Sequence, residues 1–140
     1  DLDLRSTQIT SISQLSSLKK LEVLDISENA IGSFSPLTGA TALRNLDVEN
    51  TGLTSVTHLT GLTSMEILFL NINSIDDISG LSGLTAMQQL NLRDNDITDL
   101  SVLLDMTDLT DVWLEGNDLD DDASDTVIPA LIDRGAFVRF

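Results

Sequence analysis

The feature of this sequence that most constrains its fold is an internal repeat of 22 residues. The segment LEVLDISENAI, residues 21–31, has a shorter copy, DLDLRSTQI, at the start of the chain. It returns four more times, as LRNLDVENTGL, MEILFLNINSI, MQQLNLRDNDI and LTDVWLEGNDL. A fixed period of this length indicates a solenoid, in which each repeat forms one coil that stacks on its neighbours.

Each repeat contains two apolar residues separated by one residue, such as Leu24 and Ile26 around Asp25. In a strand, this spacing places the two apolar side chains on one face and the intervening side chain on the other. Apolar residues then follow at intervals of three, as in Ile75 and Ile78, which suits a 3₁₀-like return with three residues per turn. The repeat therefore predicts short parallel strands on one side of the solenoid and 3₁₀-like turns on the other.

A polar column marks the turn that follows each strand. Its members are Thr7, Asn29, Thr51, Asn73, Asn95 and Asn117. A buried Asn can bond backbone groups of its own coil and of the neighbouring coil, so the four Asn residues are predicted to form a structural ladder. Threonine has less bonding capacity, and the ladder should be weakest at Thr7 and Thr51.

These columns resemble the leucine-rich repeat family over residues 2–119, and most closely its 22-residue class. That class includes bacterial internalins and a regulatory subunit of protein phosphatase 1. The resemblance implies an α/β-type, right-handed solenoid with a parallel β-sheet on its concave face and 3₁₀-like turns on its convex side. It also implies a non-enzymatic binding function, such as adhesion, host-cell recognition or regulation of a bound enzyme. The motif specifies the fold and leaves the partner open.

The 22-residue register fails after Leu119, because Asp122 stands where an apolar residue is expected. The chain is therefore divided into a solenoid of about six repeats over residues 1–122 and a C-terminal cap over residues 123–140. The cap resembles that of bacterial leucine-rich repeat proteins, with a helix followed by a strand over residues 137–140. A terminal coil needs such a cover because its core is otherwise open to water.

The cap helix is predicted to begin at Ser124 or Asp125, either of which can act as its N-cap, and to end at Arg134. Gly135 would close it, and Pro129 would lie near the first turn, where its missing N–H costs least. Four apolar side chains should cover the final coil: Val127, Ile128, Leu131 and Ile132.

The chain is strongly acidic, with 23 acidic and 7 basic residues and a formal net charge of -16. A surface this negative repels phosphate backbones and anionic membranes, so nucleic acid is not expected as a partner. No apolar run is long enough for membrane insertion. Two explanations of the charge stay open: solubility or adaptation to salt, and attraction of a basic partner or a divalent cation.

Cysteine is absent, which excludes disulfides, thiol nucleophiles and thiolate metal sites. This absence fits an exported bacterial protein, secreted or on the cell surface, better than a cytosolic one. The chain begins inside a strand and without a Met. We therefore expect that its N-terminal edge pairs with upstream repeats, with a cap or with another chain.

Signatures of catalysis are thin. The sequence has no Gly-rich phosphate loop and no HExxH motif, and its single His, His58, falls on the convex return. The Ser and Thr residues lie in turn columns, where a Ser/His/Asp set has no place to form. No catalytic residue and no cofactor are predicted.

The Asp-rich segment NDLDDDASD, residues 117–125, suggests calcium, whose ligands are hard oxygens. The EF-hand pattern beginning at Asp118 fails, because its sixth position is Ala123 and its twelfth is Pro129. A solvated loop that places negative charge at a helix N-terminus explains the run better, and no metal site is predicted.

The outward-facing strand positions are predicted to form a binding surface. The expected contact residues are Asp25, Asp47, Glu49, Ile67, Phe69, Asn71, Asn91, Arg93, Asp111, Trp113 and Glu115. Phe69 and Trp113 should stand two coils apart, at about 10 Å, and large exposed apolar groups rimmed by charge are typical of interfaces. An acidic row, Asp3, Asp25 and Asp47, would steer a basic partner.

The leading hypothesis is a protein or peptide bound on the concave face. A second is a carbohydrate or cell-wall polymer, for which Trp113 and Phe69 would stack on sugar rings while Asn71 and Asn91 bond hydroxyls. A third is a purely structural segment at the end of a longer solenoid. Trp113 could also pack against the cap or fill a local gap, which would remove it from any binding surface.

Overall fold

Seven short strands form one parallel sheet, in the order in which they occur in the sequence. The computed structural model describes all of residues 1–140. The strands are β1 Leu2–Asp3, β2 Val23–Asp25, β3 Asn45–Asp47, β4 Ile67–Phe69, β5 Gln89–Asn91, β6 Asp111–Trp113 and β7 Phe137–Arg139. From β1 to β6 each residue pairs with the one 22 positions later, so Leu24, Leu46 and Leu68 lie side by side. The predicted solenoid is confirmed.

One 3₁₀ helix in each of five coils forms the side opposite the sheet. These helices are Ser13–Ser17, Ser35–Leu37, Thr57–Leu59, Ser79–Leu81 and Ser101–Asp105. The apolar spacing of three explains them, because Ile78, Leu81 and Leu84 then fall on one side of the return, where all three are buried. The 3₁₀-like convex side is therefore also confirmed.

The core is a single cluster of 38 buried apolar residues that runs from the first coil into the cap. Each buried aliphatic side chain contributes about 1.5–3 kcal/mol gross, and almost all of that burial comes from the coils on either side. The first coil has a neighbour on one side only. For that reason Leu2 and Leu4 are only partly buried, and Leu18, which the repeat pattern places in the core, is exposed.

The Asn side chains connect adjacent coils. Asn73 Nδ2 donates to the carbonyl of Val48 in the preceding coil at 3.0 Å and to that of Leu70 in its own coil at 2.9 Å. The same pair of bonds is made by three other residues: Asn29, Asn95 and Asn117. Thr51 donates its hydroxyl to Val48 within its own coil and reaches no carbonyl of the preceding coil. One rung of the ladder is missing there.

The C-terminal helical segment begins at Asp121, so the predicted start at Ser124 or Asp125 is wrong. Asp120 is the N-cap, since its Oδ1 accepts a hydrogen bond from Ala123 N at 2.7 Å and its carbonyl accepts one from Ser124 N at 3.1 Å. Several residues of the Asp run could cap a helix. Asp120 is favoured because a start at this point turns Ala123 into the core, where it is buried.

Pro129 lies in the first turn of α1, the α-helix Ile128–Asp133, as expected, although helical backbone precedes it from Asp121. A π-helical turn, Ala123–Val127, precedes α1, Ile128–Asp133. In this turn the N–H of Ile128 donates to the carbonyl of Ala123, five residues earlier. The wider turn changes the hydrogen-bond pattern next to the proline, which has no N–H of its own to donate.

The end of the helix agrees with the sequence. Gly135 adopts a positive φ of 94°, its N–H donates to Ile132, and Ala136 N–H donates to Leu131, which together form a Schellman motif. Three of the four predicted cover residues are buried: Val127, Ile128 and Leu131. Ile132 is exposed, because it lies one residue beyond Leu131 and so points about 100° away from it.

Candidate functional site

Two rows of side chains leave the sheet on the side away from the core. The first row contains Val23, Asn45, Ile67, Gln89 and Asp111, and the second contains Asp25, Asp47, Phe69, Asn91 and Trp113. In strands β2 to β6 the middle residue is buried, and the residues at both ends are partly exposed. The pleat of the strand causes this alternation. We call the surface formed by these two rows the concave face.

A third row, two positions beyond the end of each strand, is less exposed than the alternation suggests. Ser27 is fully buried, at 0 % exposure, and its hydroxyl donates to Asp25 Oδ1 at 2.6 Å. Asn71, at the equivalent position two coils further on, is only 9 % exposed. The expectation that Asn71 presents its side chain to solvent is therefore wrong, and Ser27, which the same strand alternation turns outward, is also buried.

The remaining predicted contact residues divide into two groups. Those on the concave face are Asp25, Asp47, Ile67, Phe69, Asn91, Asp111 and Trp113. Those at its edge are Glu49, Arg93 and Glu115. Arg93 Nε lies 3.4 Å from Glu115 Oε2, an ion pair without hydrogen-bond geometry. The role of both groups in binding stays a prediction.

Strand β7 extends the concave face by two residues that the repeat pattern does not reveal. Phe137 lies opposite Asp111, and Arg139 lies opposite Trp113. Phe137 is 53 % exposed, and the guanidinium carbon of Arg139 lies 5.7 Å from its ring centroid, within cation–π range. The helix between β6 and β7 lengthens the spacing from 22 to 26 residues, which hides both positions from a fixed register. The alternation of Phe137 and Arg139 with the partly buried Val138 is the sequence pattern that indicates their exposure.

A shallow depression of about 280 Å³ lies on the concave face across β2 to β5. Its lining consists of Val23, Leu24, Asp25, Asn45, Leu46, Asp47, Ile67, Phe69 and Gln89. Apolar side chains from β2 and β4 therefore surround a space that two carboxylates border. The depression combines the hydrophobic and charged groups that binding sites use.

The two carboxylates in the depression are held by backbone hydrogen bonds. Asp25 Oδ1 accepts from Ser27 N, and Asp47 Oδ1 accepts from Glu49 N, both at 2.9 Å. Burial raises the pKa of Asp47, and the nearby negative charges of Asp25 and Glu49 raise it further, while the backbone hydrogen bond from Glu49 lowers it. The environment of Asp47 therefore disfavours its charged form and would be relieved by a positive charge.

The basic residues of this protein neutralise little of the negative charge on the concave face. Three arginines pair with glutamates of the adjacent coil: Arg5 with Glu28 at 2.7 Å, Arg44 with Glu66 at 2.5 Å, and Arg93 with Glu115 at 3.4 Å. Arg134 donates to the carbonyls of Leu103 and Leu104 and fastens the cap to the last 3₁₀ helix. No ion pair involves a carboxylate of the depression.

No group of three or more His, Asp or Glu side chains is arranged to hold a metal ion. A polar cleft of about 270 Å³ on the other side of the solenoid contains Asp76, Asp77 and Asp99. His58 lies on a convex 3₁₀ helix, where its Nδ1 is 3.4 Å from the hydroxyl oxygen of Thr38. No helix has the length and hydropathy that crossing a bilayer requires.

Comparisons with known proteins agree with this architecture. A family model described as "Leucine Rich repeats (2 copies)" matches residues 1–39, and one described as "Leucine rich repeat" matches residues 41–97. The two matches together span more than half of the chain. A comparison with curated protein sequences finds no match.

Solved structures supply three further similarities. An internalin C2 from Listeria monocytogenes is 27% identical, with a TM-score of 0.76 and coverage of 98% of this chain. A second internalin from that organism, inlF, is 24% identical, with a TM-score of 0.75 and coverage of 94%. A leucine-rich repeat protein from Leptospira interrogans is 20% identical, with a TM-score of 0.81 and coverage of 91%. The present chain spans 68%, 44% and 33% of those three proteins, respectively.

Proposed function

Because this chain belongs to the leucine-rich repeat family, we propose that it is a non-enzymatic scaffold that binds a protein or peptide on its concave face. In this proposal, residues 1–122 form the binding solenoid and residues 123–140 its C-terminal cap. The partner carries positive charge, since acidic residues outnumber basic ones on the face. The internalin-like architecture supports the same class of function.

The observation that carries the proposal is the exposure of large apolar side chains on a sheet face that has no covering layer. Val23, Ile67, Phe69 and Trp113 are all partly exposed there, on strands held rigid by a continuous core. A soluble sheet face usually presents polar residues, and exposed aromatic groups within a charged surround mark interaction sites. The acidic residues around them add selectivity for a basic partner.

A carbohydrate partner has less support. Stacking on Phe69 and Trp113 requires polar groups beside the rings to bond the sugar hydroxyls. Asn91 lies between the two aromatic residues, but Asn71, the second expected donor, is buried. A protein or peptide partner makes use of the apolar and the charged residues together.

A display library tests the proposal. The chain is immobilised, random twelve-residue peptides are selected, and the affinities of the recovered peptides are measured for wild type, Phe69→Ala and Trp113→Ala. We expect each variant to weaken binding about tenfold or more, since truncating a central aromatic contact costs about 1.4 kcal/mol or more. Melting temperatures should stay close to that of wild type, because both side chains lie outside the core.

Ile132→Ala is the matched control, because it removes an exposed apolar side chain on the cap helix, outside the sheet. It should leave peptide affinity unchanged. Recovered peptides that bind the Phe69→Ala/Trp113→Ala double variant as tightly as wild type would contradict the proposal. A library that yields no binder would count against it as well.

A further inference from the structure

The depression on the concave face has an apolar floor and a charged edge that come from different coils. Val23 and Ile67 lie in the first row of the sheet, with Asn45 between them, and Phe69 continues the second row after Asp25 and Asp47. A side chain entering about 280 Å³ of space would therefore contact aliphatic and aromatic surface along its length. It would meet two carboxylates at the same time.

These carboxylates have bonding capacity that the protein does not use. In each, Oδ1 accepts from the backbone N–H two residues later, and Oδ2 of neither residue receives a hydrogen bond or an ion pair. Asp25 and Asp47 are direct register partners on neighbouring strands, so their Cα atoms are about 5 Å apart. Negative charges on two neighbouring side chains of this kind repel each other, and a cation between them would offset that repulsion.

We propose that this depression receives an arginine side chain of the partner, with the guanidinium group between Asp25 and Asp47 and the aliphatic stem against Val23, Ile67 and Phe69. This inference rests on the concave face being the binding face. Arginine fits better than lysine because its planar group donates several hydrogen bonds in fixed directions and can reach both carboxylates at once. The guanidinium group can also stack on an aromatic ring.

The electrostatics of Asp47 support the same occupant. Burial and two neighbouring negative charges raise the pKa of this carboxyl, and Arg5 acts on it only as the smallest of the influences. A guanidinium group placed beside it would reverse that balance. An acidic or neutral partner side chain would leave the repulsion unrelieved.

The test uses the ¹⁵N-labelled chain and the blocked peptide acetyl-Leu-Ser-Arg-Ser-Leu-amide, whose extended form places Leu, Arg and Leu on one side. The comparison peptide has citrulline in place of arginine, which keeps the shape and removes the charge. We expect amide shifts concentrated in β2, β3 and β4 with the arginine peptide, and an affinity at least tenfold lower with the citrulline peptide.

Two pairs of substitutions distinguish an effect of Asp25 and Asp47 on affinity from an effect of the overall negative charge of the chain. Asp25→Asn/Asp47→Asn keeps the Oδ1 acceptors and should reduce affinity for the arginine peptide about tenfold. Asp105→Asn/Asp108→Asn makes the same change in net charge on the convex side, where both residues are exposed, and should change affinity less than twofold. Equal losses in both pairs, or equal affinity for the two peptides, would overturn the inference.

Failure of the arginine site can be distinguished from failure of the proposed function. Shifts confined to Trp113, Phe137 and their neighbours would overturn the arginine site and leave the concave face as the binding surface. Absence of shifts anywhere on the sheet would also overturn the arginine site. The proposed function is tested separately with the library peptides. It is contradicted if they bind as tightly when Phe69 and Trp113 are both replaced by Ala.

Discussion

Trp113 and Arg139 lie opposite each other on neighbouring strands of the sheet, although a helix separates them in the sequence. The C-terminal strand therefore pairs with the last repeat in the same parallel sense as the repeats pair with one another. It places Phe137 and Arg139 on the concave face. The cap covers the core of the last coil and also lengthens the candidate binding surface.

The Asn ladder should contribute strongly to stability. Asn95 is buried, donates to carbonyls of Leu70 and Leu92 at 3.0 Å each, and accepts from Ile75 N. Asn95→Ala leaves the buried N–H of Ile75 without an acceptor, while the two carbonyls keep their bonds from Asn73 and Asn117, and we expect the free energy of unfolding to fall by about 1–3 kcal/mol. Urea unfolding measures this change. Asn45→Ala, at a partly exposed site outside the ladder, should change stability little, and equal losses at both sites would contradict the ladder.

Ile72 occupies a backbone conformation that suits it poorly. Its φ is +56°, it is β-branched, and it is 45 % exposed, so packing does not compensate for the strain. The equivalent residue of the preceding coil is Asn50, with φ +49°. Ile72→Asn should therefore raise the free energy of unfolding by about 1 kcal/mol. A variant that melts below wild type would show that Ile72 has a stabilising contact.

The corrected start of the C-terminal helix can be checked by removing each capping candidate. Asp120→Ala should lower the free energy of unfolding by about 1 kcal/mol, because the N–H of Ala123 loses its acceptor. Ser124→Ala should have little effect, since its hydroxyl makes no hydrogen bond within the protein. Thermal unfolding of both variants compares them, and a larger loss for Ser124→Ala would support the later start.

The raised pKa of Asp47 makes a testable contribution to the dependence of stability on pH. Burial, Asp25 and Glu49 disfavour its charged form in the folded state, so folding becomes less favourable as pH rises through its raised folded-state pKa. The destabilisation is fully present above that pKa and disappears as pH falls below the unfolded-state value. Asp47→Asn should therefore melt above wild type at pH 7, with a difference that shrinks toward pH 3.

Differential scanning calorimetry across this pH range checks the sign. Arg5 is the one positive group that acts on Asp47, and its partner Glu28 has a lowered pKa through hydrogen bonds from Ser6 and Arg5. Glu28 is present in both proteins, so its titration largely cancels in the difference between wild type and Asp47→Asn. A melting difference that does not change with pH would contradict the raised pKa.

The sequence predicts the fold well wherever the 22-residue period holds. Leu24, Leu46 and Leu68 occupy one column because equivalent positions of stacked coils must meet, and no other element competes for them. The same reasoning anticipates the 3₁₀ returns. The repeat does not predict local packing beyond the strands, as shown by Ser27, whose hydroxyl donates to Asp25, and by Asn71, which is buried.

The predictions that the structure corrects lie mostly where the 22-residue period ends. Several Asp residues compete for the N-cap between Leu119 and the helix, and Asp120 prevails because it turns Ala123 into the core. The π-helical turn lies just before Pro129, and the repeat pattern gives no indication of it. The position of Phe137 on the concave face follows from strand pairing across the inserted helix.

We propose that the sheet face, and not the convex side, recognises a partner peptide. The most direct measurement is a map of amide chemical-shift changes when a library-selected peptide is added to the ¹⁵N-labelled chain. We expect the largest changes in strands β2 to β7, around Phe69 and Trp113, with the 3₁₀ helices unaffected. Changes centred on the 3₁₀ helices, with the strands unperturbed, would contradict the claim.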